Sequence, residues 1–478
     1  MRRRIAILGL IVAVFALFFI LLSGSGESAP DPILVFTKIP ATGNHLPGGS
    51  ENLPPKYKEA EIVSLNYENP DEGIRNLTPE FYSATSPSLS FDNQRIVFSA
   101  QEEQNGSWQI WTMSLDGSDK TKIFESTESC FTPSFLPTNE IVFSCEISNP
   151  MIGMIYPLFK VQADGSGLEQ ITFHPHRDFN SSMLYDGRIA MISQQVYPSK
   201  KKPLFMVLRP DGTKAQVFYH DNSDFQIKSA VRESHDENLI FVQSDGNVDE
   251  LVALSYANPL LPKKVIASFG AGHVQSADIL DSSRVVISVQ NGQNGQNGVF
   301  SLSAVGANGD EELIYQDENY HSIQPVAVRN RRIPKKLPSS IADEEGSGIL
   351  ISQDVNHSQI GIEGDPETAY IRIEGIEKTF QEIEVAKDGS FYLRVQSDMP
   401  IRFVSLDAKK ERLRGPSEWI WLRTNERRAC VGCHARKEMS PVNLVPMAIK
   451  KDPVIITDTS RVASMSEVQA VREIVNEN

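Results

Sequence analysis

Cysteine is scarce in this chain: four residues in 478, at positions 130, 145, 430 and 433. So few cannot staple a disulfide scaffold. Stability must come from packed cores, and 478 residues are enough for two or three domains that each have one. Positive charge is short as well. Lys and Arg number 46 against 61 Asp and Glu, a formal charge of −15, which argues against nucleic acid or an anionic membrane surface as a partner. No phosphate-binding glycine loop and no nucleophile–base set is visible, and the carboxylates are spread along the chain rather than paired in one segment.

Long apolar runs are missing with one exception. Ile5 to Leu22 is an uncharged stretch of 18 residues behind the basic Met1-Arg-Arg-Arg4. It is longer than a usual signal-peptide core and at the short end for a membrane span. Glu27-Ser28-Ala29 before Pro30 is a poor cleavage site. Residues 1–29 are therefore read as a signal anchor in preference to a removed signal peptide, with residues 5–22 held in the inner membrane. Either way the rest of the chain is expected in the periplasm or otherwise outside the cytoplasm. No cysteine follows the apolar run, which excludes a bacterial lipid anchor.

From about residue 60 the chain repeats. Apolar strands that end in small polar turns have equivalent residues at Leu65, Leu115, Ala163, Arg209, Leu254 and Leu302, 45 to 50 residues apart. A four-stranded antiparallel sheet with its turns uses about that many residues, the period of a propeller blade. A second repeated segment runs through Ser86-Pro-Ser-Leu-Ser90, Thr132-Pro-Ser-Phe-Leu136 and later copies, and its last copy, Gln324-Pro-Val-Ala-Val328, follows the last anchor. The expectation is an all-β chain. Residues 30–328 would form a six-bladed TolB/WD40-like β-propeller, its ring closed by the strand at 324. Cys130 and Cys145 flank a hairpin turn in one repeat, and a disulfide or two buried thiols both suit that placement.

Residues 329–345 are basic and Pro-rich, a linker. Residues 346–478 read as a small β module that carries the strongest motif in the chain, Cys430-Val431-Gly432-Cys433-His434. Two thiols at this spacing can each add to a vinyl group of one haem, and the following imidazole then lies beneath the iron. The expected cofactor is one covalent haem c on Cys430 and Cys433, with His434 as the iron's proximal metal ligand. The alternatives, a zinc site or a redox dithiol, lack a second ligand pair and a βαβ context respectively. Trp419 and Trp421, just upstream, suit either a haem wall or the module's core.

The sixth iron position separates electron transfer from ligand chemistry. His321 is the first candidate for it, four residues before Pro325 in the closing strand. His273 holds the same place in the preceding repeat, and the ordinary alternative for both is a capping or solvated histidine. His357 is a weaker candidate. Met439 lies too close to His434 to reach the opposite haem face. His174 and His176 are noted as metal or channel residues with no further support.

Asp388-Gly-Ser-Phe-Tyr-Leu-Arg-Val395, Pro400-Ile-Arg-Phe403, Leu406-Asp407, Arg427-Arg-Ala-Cys-Val-Gly-Cys-His434 and Ser440-Pro441 together resemble the hydrazine synthase alpha subunit-like family, from about residue 60 to 450. The resemblance implies a TolB-like propeller fused to a c-type haem module. There are two departures. The family subunit looks like a two-haem protein, whereas this chain has one site. The family also carries a tyrosine soon after the motif histidine, where Glu438 stands here.

Two functions follow. The first is an exported c-type cytochrome that passes single electrons, its propeller a docking platform for a redox partner, and the acidic balance suits a basic one. The second is a haem enzyme resembling hydrazine synthase alpha, an oxidoreductase by that resemblance, acting on a small nitrogen ligand at an open iron.

Overall fold

A computed structural model describes residues 32–42, 56–219, 223–258, 262–270, 273–290, 298–341, 346–357, 366–432 and 445–458. The chain is strand-rich because short β-branched and aromatic runs dominate it. Ile141–Cys145 (IVFSC) is buried at every residue, covered on both faces. Ser347–Asp354 buries alternate residues in its first six positions, the signature of a strand with one face inward.

Among the described residues the strands form nine sheets. Five four-stranded sheets and one five-stranded sheet use strands from Ile33 to Ala327, with a small ribbon of Ile147–Asn149 against Gly153–Ile155. Within the sheets, neighbours in sequence pair antiparallel. The exception is Tyr320–Ala327, which returns to pair antiparallel with the first strand, Ile33–Pro40. The repeated segments converge: Ser86, Thr132, Asn180, Ser229, Ser276 and Gln324 line one cavity of about 90 Å³. Gln324 Oε1 accepts hydrogen bonds from Thr37 and Thr85 Oγ1 and from the Ser86 N–H.

Two parts of the expected architecture are corrected. The chain is all-β, but no sheet closes on itself. Each is open, with two edge strands in its hydrogen-bonding order, so the closed six-bladed propeller does not stand. The physical reason is that a repeat period fixes how many strands a sheet receives and leaves closure undetermined. Nor is the anchor supported. Residues 5–22 lie outside the described residues, and no helix among the described residues is long and apolar enough to cross a membrane. The membrane partner and the inner-membrane location rested on that segment alone and are not carried further.

Cys130 and Cys145 lie directly opposite each other in adjacent strands, their Cα atoms 4.1 Å apart, and form a disulfide. This resolves the two alternatives. The bridge closes a loop with a sequence separation of 15, so the double variant Cys130→Ser/Cys145→Ser should lose about 3 kcal/mol. In urea titrations, reductant should lower the wild-type midpoint to that of the variant and leave the variant unmoved. A wild type indifferent to reductant would refute the assignment.

Beyond residue 346 two further four-stranded sheets face each other. One has the order Arg427–Gly432, Ser347–Asp354, Phe391–Gln396, Val454–Ile456; the other is Thr379–Glu384, Tyr370–Glu374, Arg402–Leu406, Arg412–Arg414. Among the described residues no strand pairing crosses between these sheets and the earlier six. Side chains make the connection instead. Trp421 is fully buried in a cluster with Leu136, Ile171 and Leu208 of the earlier sheets, and its Nε1 donates to Gly212 O at 3.2 Å. Trp419 Nε1 donates to Tyr197 O at 3.1 Å. Gly212 is required at this contact. It has φ +78°, and a Cβ there would lie 2.6 Å from both Arg423 Nη1 and Ile171 O.

Candidate functional site

Between the two later sheets lies a cavity of about 280 Å³. Its wall is largely apolar: Leu350, Ile371, Phe391, Phe403, Ile420 and Cys430. Strand alternation puts them there. Leu350 and Ser352 are two apart and share a face, and Cys430 is the cross-strand partner of Ser352 in the parallel pairing. Gly432 ends that strand against His357, whose carbonyl oxygen would lie 2.2 Å from any Cβ at this position.

Five polar residues reach the cavity: Ser352, Ser405, Arg414, Ser417 and Glu418. Ser405 is buried, and its hydroxyl has no hydrogen-bond partner among the described residues. Glu418 contributes a carboxylate whose Oε1 pairs with Lys201 Nζ at 2.8 Å. Burial pushes the Cys430 thiol above its usual range, with the nearby Arg428 opposing. At neutral pH this thiol is protonated, an apolar lining group rather than a nucleophile.

The approach to Cys430 is held by Glu426. This carboxylate is fully buried and accepts from Lys214 N at 2.9 Å, Arg423 N at 3.0 Å and Arg428 Nη2 at 2.9 Å. Arg423 in turn reaches the earlier sheets, through Glu169 Oε1 at 2.7 Å and Asp211 O at 2.8 Å. The segment carrying Cys430 is therefore fixed from both sides.

A second cluster lies at the foot of Trp421. The Trp421 ring meets His174 edge-on with centroids 4.8 Å apart, and His174 stacks on His176 at 3.8 Å. His174 Nε2 donates to Asp178, 2.7 Å from Oδ2. Ser193 Oγ donates to Asp178 Oδ1 at 2.6 Å, so His176 Nδ1, 2.9 Å from Ser193 Oγ, must donate to that hydroxyl. Complete burial holds His176 well below the usual histidine range, with His174 and Lys201 adding to the effect. His176 is neutral.

The expected site residues fall out as follows. Cys430 lines the cavity, while Cys433 and His434 lie outside the described residues, as does Met439. His321 is buried in the strand Tyr320–Ala327. Its Nδ1 accepts from Phe300 N at 3.1 Å, and burial lowers its pKa against a hydrogen bond to the Ala41 backbone that raises it. Both features tie this imidazole into its own sheet. His273 sits at the turn before Val274–Ile279, with its carbonyl taking the Gln290 N–H at 2.7 Å.

The expected covalent haem c, with the iron-centred cytochrome reading built on it, is corrected. The cysteine pair the structure joins is Cys130–Cys145. The one group of three metal-capable donors among the described residues is His174, His176 and Asp178, which contains neither Cys430 nor His321. Cys430 is a free thiol packed against the core of the later sheets. Spacing along the chain carried that expectation, and spacing does not report which way a strand turns its side chains.

Residues 342–435, which hold most of the cavity wall, match the family described as hydrazine synthase alpha subunit middle domain. The likeness is to hydrazine synthase alpha. The chain is 23% identical over 419 residues to hydrazine synthase subunit alpha of Kuenenia stuttgartiensis, covering 72% of this chain and 50% of the relative. It thus spans about half the length of that relative. The solved Kuenenia stuttgartiensis hydrazine synthase superposes with a TM-score of 0.73 at 18% identity, over 88% of this chain and 72% of that one, and shares its fold. A further likeness, to TolB from Acinetobacter baumannii, reaches a TM-score of 0.45 at 12% identity, over 64% of this chain and 67% of that one, too low to argue from.

The search by sequence missed Ser405, Glu426 and Asp178. Only Asp178 left a signal, because His174, His176 and Asp178 alternate at i, i+2 and i+4 and so fall on one face of an extended run.

Proposed function

We propose that this chain is an exported, hydrazine-synthase-alpha-like protein that takes a small nitrogen compound into the cavity between its two later sheets. The observation that carries the reading is the position of that cavity inside the matched residues 342–435. Its chemistry favours neutral ligands. A mostly apolar wall penalises a bare cation by several kcal/mol or more, whereas ammonia or hydroxylamine needs little more than the hydrogen bond that Ser405 can offer. The disulfide supports export, since such bonds persist in oxidising compartments. Residues 329–345 divide the chain into a larger unit before them and the cavity-bearing unit after them.

Calorimetric titration of the full chain with hydroxylamine tests the reading. Binding is expected in the wild type. Ser405→Ala should weaken it roughly fivefold, the worth of about one hydrogen bond. Ile371→Trp, which fills the cavity, should abolish it, with circular dichroism used to check the fold. Hydrazine formed from hydroxylamine and ammonia, with water released, would be the corresponding turnover assay. Unchanged binding in both variants would remove the cavity from the reading, and no binding in the wild type would remove the reading.

A further inference from the structure

We propose that His174, His176 and Asp178 form a closed binding site for one transition-metal ion of the zinc class, at the start of the strand His176–Met183 and apart from the Cys430 cavity. Each of the three residues offers one donor atom, and these atoms all lie within 4.8 Å of one another. Two imidazoles and a carboxylate are a donor set that zinc accepts and that hard, oxygen-seeking cations do not prefer.

The hydrogen bonding around the cluster is what distinguishes it from an ordinary buried histidine pair. One nitrogen of each ring carries a proton that is already placed, on Asp178 for His174 and on Ser193 for His176. The other nitrogens, His174 Nδ1 and His176 Nε2, are buried and have no hydrogen-bond partner among the described residues. Buried polar atoms are nearly always satisfied, and two bare ring nitrogens in one buried cluster ask for a partner.

Burial decides what kind of site this is. The His174 and Asp178 side chains have no exposed surface. Such a site is closed to solvent and would load during folding, so its ion would serve structure rather than turnover. It lies beneath Trp421, the residue that seats the later sheets on the earlier ones. The ion would therefore stiffen that seat.

The test is to refold the full chain with zinc chloride, remove free metal, and measure zinc content by mass spectrometry and its ligand shell by X-ray absorption. The wild type should retain one equivalent with a shell of nitrogen and oxygen only. His176→Gln and Asp178→Asn should each lose it, while the surface variant His235→Gln keeps it. The double variant Cys430→Ser/Cys433→Ser should also keep it, which separates this site from any thiolate zinc. A sulfur-containing shell, zinc retained in both site variants, or no zinc in the refolded wild type would each overturn the proposal. If the site variants fail to fold, the wild-type content and shell still decide.

Discussion

Trp421→Ala should cost about 3–5 kcal/mol, as large aromatic deletions in cores do. Trp421 is fully buried, yet the cluster around it is drawn from the earlier sheets: Leu136, Ile171, Ile189 and Leu208. Its nearest ring neighbours, His174 and Phe173, also belong to them. The side chain that follows, Leu422, packs the other way, into the core of the later sheets with Leu350 and Leu393. One residue therefore plugs each core, and removing the tryptophan empties the socket without disturbing the sheet behind it. Besides the loss of stability, urea unfolding should split from one transition into two, because the later sheets then lose their largest side-chain anchor on the earlier ones. Trp421→Phe separates packing from hydrogen bonding: it keeps most of the ring and gives up only the Nε1 bond to Gly212, worth about 1 kcal/mol. An alanine variant within about 1 kcal/mol of wild type would show that the socket collapses and that Trp421 is not the anchor.

The strand content was legible because its signals are local. The 45-to-50-residue period did report four strands per sheet, and the run from Ser347 to Asp354 did alternate. The return of the strand at 324 to the first sheet was legible too; what was not legible depends on how sheets face one another. A period is silent on whether sheets close, and a Cys-x-x-Cys-His spacing is silent on where Cys430 points. Trp419 and Trp421 are a middle case. Their size announced burial, but the haem wall and the module core were both the wrong surroundings for Trp421, since its partners lie more than 200 residues upstream. His321 was chosen for its place in the repeat, and the neighbour that occupies its Nδ1, Phe300 N, comes from a different strand. The resemblance to hydrazine synthase alpha survived for the opposite reason: it rested on strings of residues such as Asp388 to Val395, a turn and the strand that follows it, which need no long-range geometry to be recognised.

Glu426→Ala should be as damaging as the loss of Trp421, for an electrostatic reason. The carboxylate has no exposed surface, and it receives two backbone N–H groups, Lys214 and Arg423, and one guanidinium, Arg428. A buried anion of this kind is stable only because every lone pair that matters is met. Once the carboxylate is gone, the buried Arg423 N–H, the half-buried Lys214 N–H and a mostly buried arginine (12% exposed) have no acceptor. Breaking such a set by deleting one member costs about 3–5 kcal/mol, well above the worth of an exposed ion pair. Glu426→Gln is the sharper probe. It keeps the shape and one carbonyl oxygen, but its amide presents hydrogens toward groups that are themselves donors, so an intermediate loss is expected. The functional reading is local. Glu426 immediately precedes Arg427–Gly432, and its own carbonyl takes the Ile349 N–H at 2.7 Å, which sets the register of that strand against Ser347–Asp354. Loosening it should open the wall of the cavity, and in a Cys433→Ser background the half-buried Cys430 thiol should then react with maleimide faster than in wild type and well below its global unfolding midpoint. If Glu426→Ala leaves both the stability and the thiol's protection intact, the strand that carries Cys430 is held by its sheet alone, and the junction with the earlier sheets plays no part in shaping the cavity.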